Sequence, residues 1–455
     1  MTMKNTSIII SCLLLLFSKP LFASHLYGGY ILASQQQPGR LFQIEVVVLS
    51  DAASVAEPSL STIMVSFGDG TASQEVTRVK VEGSESGFQK NIYQCTHLYN
   101  SDGQFVISIA ELNLVDAINN INNGNTNDLK LVLGTMVNVN SSWGKVSTPK
   151  PLAYALPSFA TNGMDKQSYN PTFSRKGNDS LIFSLVGGEE MKNYWPNYTV
   201  PAGLTINKYS GMLTWKASPL PSGRYLIAIR VDAYKMGRVV STQSFAQFFL
   251  VKFGLASLPD GLLFTGTDVA PAGWYRAIAQ PDISFTQDFS FNRVKDAITY
   301  GTDAYSEVYD FNADTNLTVN GNVETIQLNW LPTNQMLAPI PYFVTYRITN
   351  NVNQFTNDYE VGIYLGARLN SGLREEKAKQ QVMVLPNPVN DHCLFTYNNP
   401  EPALLQIFNV TGQLVFNQKI TNNYQWQRGS LSNGIYQYVV QLNNGKIASG
   451  KIILE

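Results

Sequence analysis

Short runs in which apolar and polar residues alternate recur along the chain, and they constrain the fold more than any other feature. Examples are residues 283–291, 404–408 and 435–440. Alternation with a period of two places every second side chain on one face of a strand. Clusters of Gly, Asn and Pro between the runs tolerate or impose the backbone angles of tight turns. Together with 23 Tyr and 23 Phe, which favour strands, these runs predict an all-β chain of tandem antiparallel β-sandwiches.

The first residues, 1–23, have the composition of a secretory signal peptide. Lys4 gives a positive start, residues 8–17 form an apolar core, and Leu21, Phe22 and Ala23 form a cleavage region. No later stretch reaches the roughly 18 to 20 apolar residues that a transmembrane helix needs. We therefore expect export through the Sec pathway into the periplasm and no transmembrane segment.

Charge and ligand residues argue against several classes of protein. The formal net charge is −1 and charged residues make up 14% of the chain, so there is no basic patch for nucleic acid. Without the signal peptide the chain keeps Cys95 and Cys393, with His25, His97 and His392. Two thiols and three imidazoles so widely spaced do not form the clustered ligand set of a zinc site. We expect no metal, no other cofactor and no nucleic-acid partner.

Four motifs follow one another between residues 385 and 455. They are Pro386-Asn387-Pro388, residues 409–413 with Gly412, residues 431–436 with Gly434, Ile435 and Tyr436, and residues 450–453 with Gly450 and Lys451. In order and spacing they resemble the type A C-terminal sorting domain of proteins exported by the type IX secretion system. The resemblance implies a small β-sandwich that binds the type IX machinery, and a mature protein that is secreted or held on the outer cell surface. The alternative is an Ig-like module without an export role.

Residues 24–148 contain a second recognisable motif. It consists of Phe67-Gly68-Asp69-Gly70 after a strand pattern, followed by His97 and Tyr99. The motif resembles the PKD domain, an Ig-like β-sandwich, although Val65 and Ser66 stand where that family has a tryptophan. The resemblance implies that Asp69 stabilises the turn and that His97 and Tyr99 pack near a strand end. The Asn-rich residues 117–125 that follow predict a surface loop.

Asp69 and His97 also allow two functional interpretations. They could form an acid–base pair, but such catalysis requires a nucleophile or an oxyanion site placed beside them, and the sequence indicates neither. Asp69 could bind calcium, but that ion takes roughly six to eight oxygen ligands. We therefore assign no catalytic, cofactor-binding or metal-binding residues and predict structural roles for both side chains.

Two further sandwich modules are predicted at residues 149–254 and 255–368. In the first, residues 201–206 and 210–215 with Tyr225 resemble cadherin-like Ig domains of bacterial surface proteins. In the second, a strand pattern ends at Trp330, as one ends at Trp215 in the first, which predicts an Ig-like repeat. Trp215 is expected to anchor a core, because a tryptophan side chain buries a large area. Residues 369–384, with a dense run of charges, predict a solvated linker.

The order of these modules resembles the N-terminal region of gliding-motility-associated surface proteins. Our first hypothesis is a non-catalytic secreted or surface protein with an adhesion, scaffold or binding role, whose ligand is a surface glycan or a protein. The alternative is a polymer-degrading hydrolase accessory or glycan-binding protein carried by the same export system. Its candidate sugar-stacking residues are Tyr194, Trp195, Tyr198 and Trp274.

Overall fold

The computed structural model describes the chain from residue 26 to residue 455 with gaps. The described ranges are 26–36, 39–52, 60–83, 88–126, 128–141, 145–175, 177–216, 219–255, 260–265, 268–269, 275–293, 300–338, 340–366, 382–397, 402–409, 413–421, 423–442 and 447–455. They fall into two compact units that divide between residues 368 and 369. The predicted signal peptide and residues 369–381 of the predicted linker lie outside the described residues.

Residues 26–255 of the first unit consist mainly of one large sheet. The strands are β1 (Leu26–Gln35), β2 (Leu41–Asp51), β3 (Thr62–Val65), β4 (Gln74–Gly83), β5 (Phe88–Leu98), β6 (Gly103–Asn113), β7 (Lys130–Val139), β8 (Lys150–Pro151), β9 (Ser158–Asn162), β10 (Gln167–Tyr169), β11 (Phe173–Ser174), β12 (Ser180–Leu185), β13 (Leu204–Ile206), β14 (Leu213–Trp215), β15 (Gly223–Lys235) and β16 (Arg238–Leu255). The main sheet has the order β12-β15-β16-β1-β2-β5-β4-β3. Small sheets β10-β14-β13 and β11-β8 flank it.

The modules predicted at residues 24–148 and 149–254 share this sheet, because β16 is long enough to serve both. Its 18 residues extend over about 60 Å at the usual rise of a strand. One edge of β16 pairs with β15 from Arg238 to Val251. The other edge pairs in turn with β7, β1 and β9. The strands of residues 26–148 therefore pair with strands beyond residue 148, where the first module is predicted to end.

Around residues 46–49 the shared sheet is buried on both faces. In β2, Val46 and Val48 contact one hydrophobic core while Val47 and Leu49 contact the other. Successive side chains of a strand point to opposite faces, so a continuous apolar run is what two-sided burial requires. The run at residues 46–49 is thus explained by the packing of layers on both sides of the sheet.

The Asn-rich segment is a loop with exposed and buried positions, so the predicted surface loop is only partly exposed. Ile118 and Ile121 are fully buried, and Asn120 is only 6% exposed. The Asn120 amide donates to the main-chain oxygens of Thr199 and Leu226, both at 2.9 Å, and its oxygen accepts from the Leu226 N–H at 3.1 Å. The amide thus satisfies backbone groups beside β15, which is why a polar residue is stable there.

The remainder of the first unit is a two-sheet sandwich. Its strands are β17 (Asp260–Phe264), β18 (Asp268–Val269), β19 (Tyr275–Ala279), β20 (Phe285–Asn292), β21 (Tyr300–Tyr305), β22 (Asp314–Asn320), β23 (Val323–Trp330), β24 (Tyr342–Asn350) and β25 (Thr356–Leu365). They form the sheets β17-β20-β23-β22 and β18-β19-β25-β24-β21. The core between them includes Phe289, Trp330 and Tyr346.

The second unit is a smaller sandwich. Its strands are β26 (Val382–Leu385), β27 (His392–Tyr397), β28 (Ala403–Phe408), β29 (Leu414–Ile420), β30 (Tyr424–Gln427), β31 (Gly434–Leu442) and β32 (Ile447–Leu454). The sheets β26-β27-β30 and β29-β28-β31-β32 enclose Cys393, Phe395 and Trp426.

Helical structure in the described residues is short. It comprises the single-turn helix α1 (Gly188–Met191) and 3-10 turns at Asn122–Gly124, Glu307–Phe311 and Asn334–Met336. Among these segments, no helix is both long enough and apolar enough to cross a bilayer. The predicted all-β fold class is confirmed.

Candidate functional site

The Phe-Gly-Asp-Gly motif forms the turn that follows β3. Gly68 has a φ of +75°, and a Cβ at this position would lie 2.6 Å from the main-chain oxygen of Val106. Both the backbone angle and the lack of space therefore require glycine. Asp69 Oδ1 accepts from the Thr71 N–H at 3.1 Å and from the Thr71 hydroxyl at 2.5 Å. This bond to the backbone two residues on is the turn predicted from the sequence.

Asp69 also bonds His97, at the end of β5. Its Oδ2 lies 2.7 Å from His97 Nε2, and the two side chains are only 6% and 12% exposed. The Phe67 ring stacks on the imidazole at 3.9 Å, and the Tyr99 ring meets its edge at 4.7 Å. Burial, the largest single influence, raises the pKa of Asp69, but the hydrogen bonds from Thr71 and His97 outweigh it and lower the pKa to about 2.

This geometry gives Asp69 a fixed set of partners. A carboxylate whose two oxygens accept bonds from its own turn and from a packed imidazole is a poor general base, because its low pKa opposes proton uptake. The arrangement ties the turn to β5 and holds the His97 ring between Phe67 and Tyr99. In the described ranges, no group of three or more His, Cys, Asp or Glu side chains is placed to hold a metal ion.

The aromatic candidates for sugar stacking are divided between core and surface. Trp195 and Tyr198 are 1% and 3% exposed, and the Trp195 indole N–H donates to the main-chain oxygen of Lys130. Tyr194 is half exposed, and Trp274 lies outside the described residues. Trp215 is buried against Tyr225 with ring centroids 4.9 Å apart, as expected of a core anchor.

A buried polar contact between residues 150–175 and the sandwich of residues 260–365 was not predicted from the sequence. Arg347 in β24 donates from Nε and Nη2 to the two carboxylate oxygens of Asp358 in β25, at 2.9 and 2.8 Å. Its guanidinium also donates to the main-chain oxygens of Ala153 and Asn170, both at 3.1 Å, and lies over the Tyr169 ring. We call the residues Asn170, Arg175, Glu307, Arg347, Asp358 and Glu360 the polar joint.

Three further hydrogen-bonded pairs complete the polar joint. Asn170 donates to Asp358 from its N–H at 2.7 Å and to Glu360 from its amide at 2.8 Å. Burial raises the pKa of Glu360 to about 7, against weaker lowering by hydrogen bonds from Ser210 and Asn170. Arg175 donates to the Glu307 carboxylate from both its main-chain N–H and its Nε. A signal for this site was present in the sequence, since Arg347, Asp358 and Glu360 interrupt apolar strands.

In the second unit, the Pro-Asn-Pro motif lies beside β32. Proline has no N–H to donate, and β26 ends at Leu385, before Pro386. The Asn387 side chain makes the missing bonds: its amide donates to the Lys451 main-chain oxygen at 2.7 Å, and its oxygen accepts from the Ile453 N–H at 2.8 Å. After the motif, Val389 bridges Leu454 of β32. The asparagine therefore substitutes for a peptide group between Pro386 and Pro388.

The other motif residues line β31 and β32. The Tyr436 hydroxyl donates to the Ser432 main-chain oxygen at 3.0 Å, while Ile435 is 49% exposed. A Cβ at Gly450 would lie 2.6 Å from the Tyr438 ring across the strand pair, so this position has no room for a side chain. The motif residues not yet placed are Gly434, which opens β31 next to a turn, Lys451, which is exposed, and Gly412, which lies outside the described residues.

Comparisons with known proteins identify this second unit. The sequence profile described as "Secretion system C-terminal sorting domain" matches residues 383–455. No curated protein matches the chain. Solved structures with some similarity include the Ig1–Ig3 ectodomain of mouse nectin-like molecule 4, with 9% identity, TM-score 0.19, and coverage of 66% of this chain and 96% of that one.

Two other structures are similar at the same level. Four N-terminal Ig domains of Dscam1 isoform 4.44 have 8% identity, TM-score 0.17, and coverage of 82% of this chain and 88% of theirs. An endo-fucoidan hydrolase has 10% identity, TM-score 0.16, and coverage of 73% of this chain and 42% of its own. Similarities this low transfer no function, and the PKD-like and cadherin-like assignments stay predictions. Residues 383–455 form a C-terminal sorting domain, and the chain thus carries the sorting signal of a type IX secretion cargo.

Proposed function

We propose that this chain is a non-catalytic protein of the cell exterior whose β-sandwich modules form a binding or adhesion scaffold. The main support is the structural role of buried titratable groups in residues 26–366, which bond to neighbouring parts of the fold. Asp69 is bonded to Thr71 and His97, and Arg347 and Asp358 connect two modules. These charged side chains hold strands together, so the groups that contact a ligand lie on exposed loops and sheet faces.

The proposed route to the exterior has two steps. The signal peptide at residues 1–23 directs the chain through the Sec pathway to the periplasm. The sorting domain then binds the type IX machinery, which carries the folded modules across the outer membrane. The mature protein is secreted or stays on the outer surface.

Removal of the sorting domain tests this route. The full chain and a chain lacking residues 382–455 are expressed in the native host, and the medium, outer membrane and periplasm are probed for the first unit. The truncation begins where β26 begins, so no strand of the second unit remains. We expect the truncated chain to accumulate in the periplasm. Export of the truncated chain at the level of the full chain would contradict the proposal.

The glycan-binding alternative has its own test. Trp195 and Tyr198 are buried, so of the aromatic candidates that the structure describes, Tyr194 is the exposed one. Affinity electrophoresis of the full chain in gels containing soluble polysaccharides would reveal glycan binding as retarded migration. Retardation that disappears in Tyr194→Ala would favour the alternative, and equal migration in all gels would favour a protein ligand.

A further inference from the structure

Arg428, between β30 and β31, joins separate segments of the sorting domain through main-chain oxygens. Nη1 donates to the main-chain oxygens of Asn390 at 3.0 Å and Glu455 at 2.6 Å, and Nη2 donates to the main-chain oxygen of Leu431 at 2.7 Å and to Oδ1 of Asn433 at 2.6 Å. The Arg428 main-chain N–H donates to the Asp391 main-chain oxygen at 2.9 Å. One side chain thus fixes the segment after the Pro-Asn-Pro motif, the segment before Tyr436, and the end of β32.

The chemistry of arginine suits this role. A guanidinium carries five N–H donors in a planar fork, so it can serve acceptors on several segments at once. Lysine offers three donors from a single nitrogen and cannot span the same set. The four acceptors of the Arg428 guanidinium are three main-chain oxygens and one side-chain amide oxygen, so its bonds depend on the backbone positions and not on the charge of a partner side chain.

Beside Arg428 the three segments form an open concavity of about 560 Å³. Its lining is polar and includes Asn390, Asp391, His392, Gln427, Ser430 and Glu455. The carboxylate-bearing residues Asp391 and Glu455 are exposed, while Arg428 is half-buried. The surface therefore presents carboxylate and amide acceptors to a partner, while the Arg428 guanidinium is bonded to main-chain oxygens.

We propose that this concavity is the face of the sorting domain that the export machinery contacts, and that Arg428 is the positioning residue that assembles it. The proposal rests on the function proposed above and names the contact surface. The matching partner surface presents lysine, arginine or amide donors, because complementary charge favours encounter and fixes orientation. The surface exists only when the segments around Asn390, Leu431 and Glu455 come together, so the machinery contacts a folded domain.

Charge-neutral variants test the surface without disturbing the bonds of Arg428. The full chain carrying Asp391→Asn with Glu455→Gln keeps the main-chain oxygens that Arg428 binds. Arg428→Ala removes the positioning side chain, and Arg428→Lys keeps its charge. Lys419→Ala, on the exposed face of β29, is the matched control. Each is expressed in the native host, and the ratio of exported to periplasmic protein is measured together with the thermal unfolding midpoint of the purified chain.

We expect the double variant to lower the exported ratio by about fivefold or more at an unchanged unfolding midpoint. Arg428→Ala should lower the ratio similarly, Arg428→Lys should restore part of it, and Lys419→Ala should leave it unchanged. Normal export of the double variant, while the chain lacking residues 382–455 stays in the periplasm, would overturn this inference and leave the proposed function intact. Export of the truncated chain would overturn both.

Discussion

The first unit joins its predicted modules at two junctions, and the two junctions are built in opposite ways. At the first junction, β16 joins β1 and β7 in one sheet whose faces are covered by apolar side chains. At the second, residues 150–175 meet β24 and β25 through the polar joint, with Arg347 and Asp358 at its centre.

The difference shows what each kind of contact contributes. Apolar burial is non-directional and scales with area. The first junction therefore holds its two predicted modules together through many contacts, and no single contact is essential. Buried ion pairs contribute little net stability, but loss of one partner is costly because the other charge remains buried. The second junction therefore depends on a few atoms, and specific substitutions there should separate the modules.

Loss of the central arginine should have the largest effect. Arg347→Ala leaves Asp358 buried without its cation and also removes bonds to two main-chain oxygens. We expect a loss of about 5 kcal/mol in the free energy of unfolding of the sandwich of residues 260–365. Urea unfolding of the full chain, followed by tryptophan fluorescence, should show one more transition than the wild type, because Trp330 lies in that sandwich.

An exposed ion pair supplies the control for this change. Arg230 pairs with Glu190, and their side chains are 39% and 51% exposed. Arg230→Ala should cost less than about 1 kcal/mol and keep the wild-type number of transitions. Equal losses in the two variants would show that the polar joint is not the critical contact between these modules.

A core truncation at the first junction should cost less and should not separate modules. The buried Phe245 ring in β16 contacts the rings of Tyr30, Tyr154 and Phe173. Phe245→Ala should destabilise the shared sheet by about 3 kcal/mol, since three large neighbours can move partly into the space. In calorimetry of the full chain, the peak for unfolding of residues 26–255 should move to lower temperature than in the wild type and remain a single peak. A new separate peak would contradict the idea of one inseparable sheet.

A pH-dependent effect is expected at the second junction. Glu360 has a pKa of about 7 in the folded state against an ordinary 4.5. Between pH 4.5 and pH 7 the folded state therefore holds a proton on Glu360 that the unfolded state has released. Its contribution to stability is complete below pH 4.5 and is lost as pH rises through 7, at up to about 1.4 kcal/mol per pH unit. Glu360→Gln should remove this slope in urea unfolding at pH 5, 6, 7 and 8. Parallel curves for the two proteins would refute the assignment.

The sequence predicted those contacts whose partners are near in the chain or belong to a known motif. The turn at Asp69 follows from Gly-Asp-Gly alone, and the strands follow from alternation. The partners of the polar joint were missed because Arg347 contacts Ala153 and Asn170 at separations of 194 and 177 residues, and charged residues in β24 and β25 do not specify partners so distant. Asn120 was misplaced for the same reason, since its polar character is matched by distant backbone groups and not by water. The apolar run at residues 46–49 did encode the two-sided sheet.

The asparagine between two prolines has a consequence for chemical ageing. Asparagine deamidates when the next backbone nitrogen loses its hydrogen and attacks the side-chain amide to form a succinimide. The nitrogen of Pro388 carries no hydrogen, so this route is closed to Asn387. The amide that replaces a peptide group beside β32 is thereby protected from conversion to aspartate, which would bring a negative charge to the Lys451 carbonyl and lose the donor that binds it.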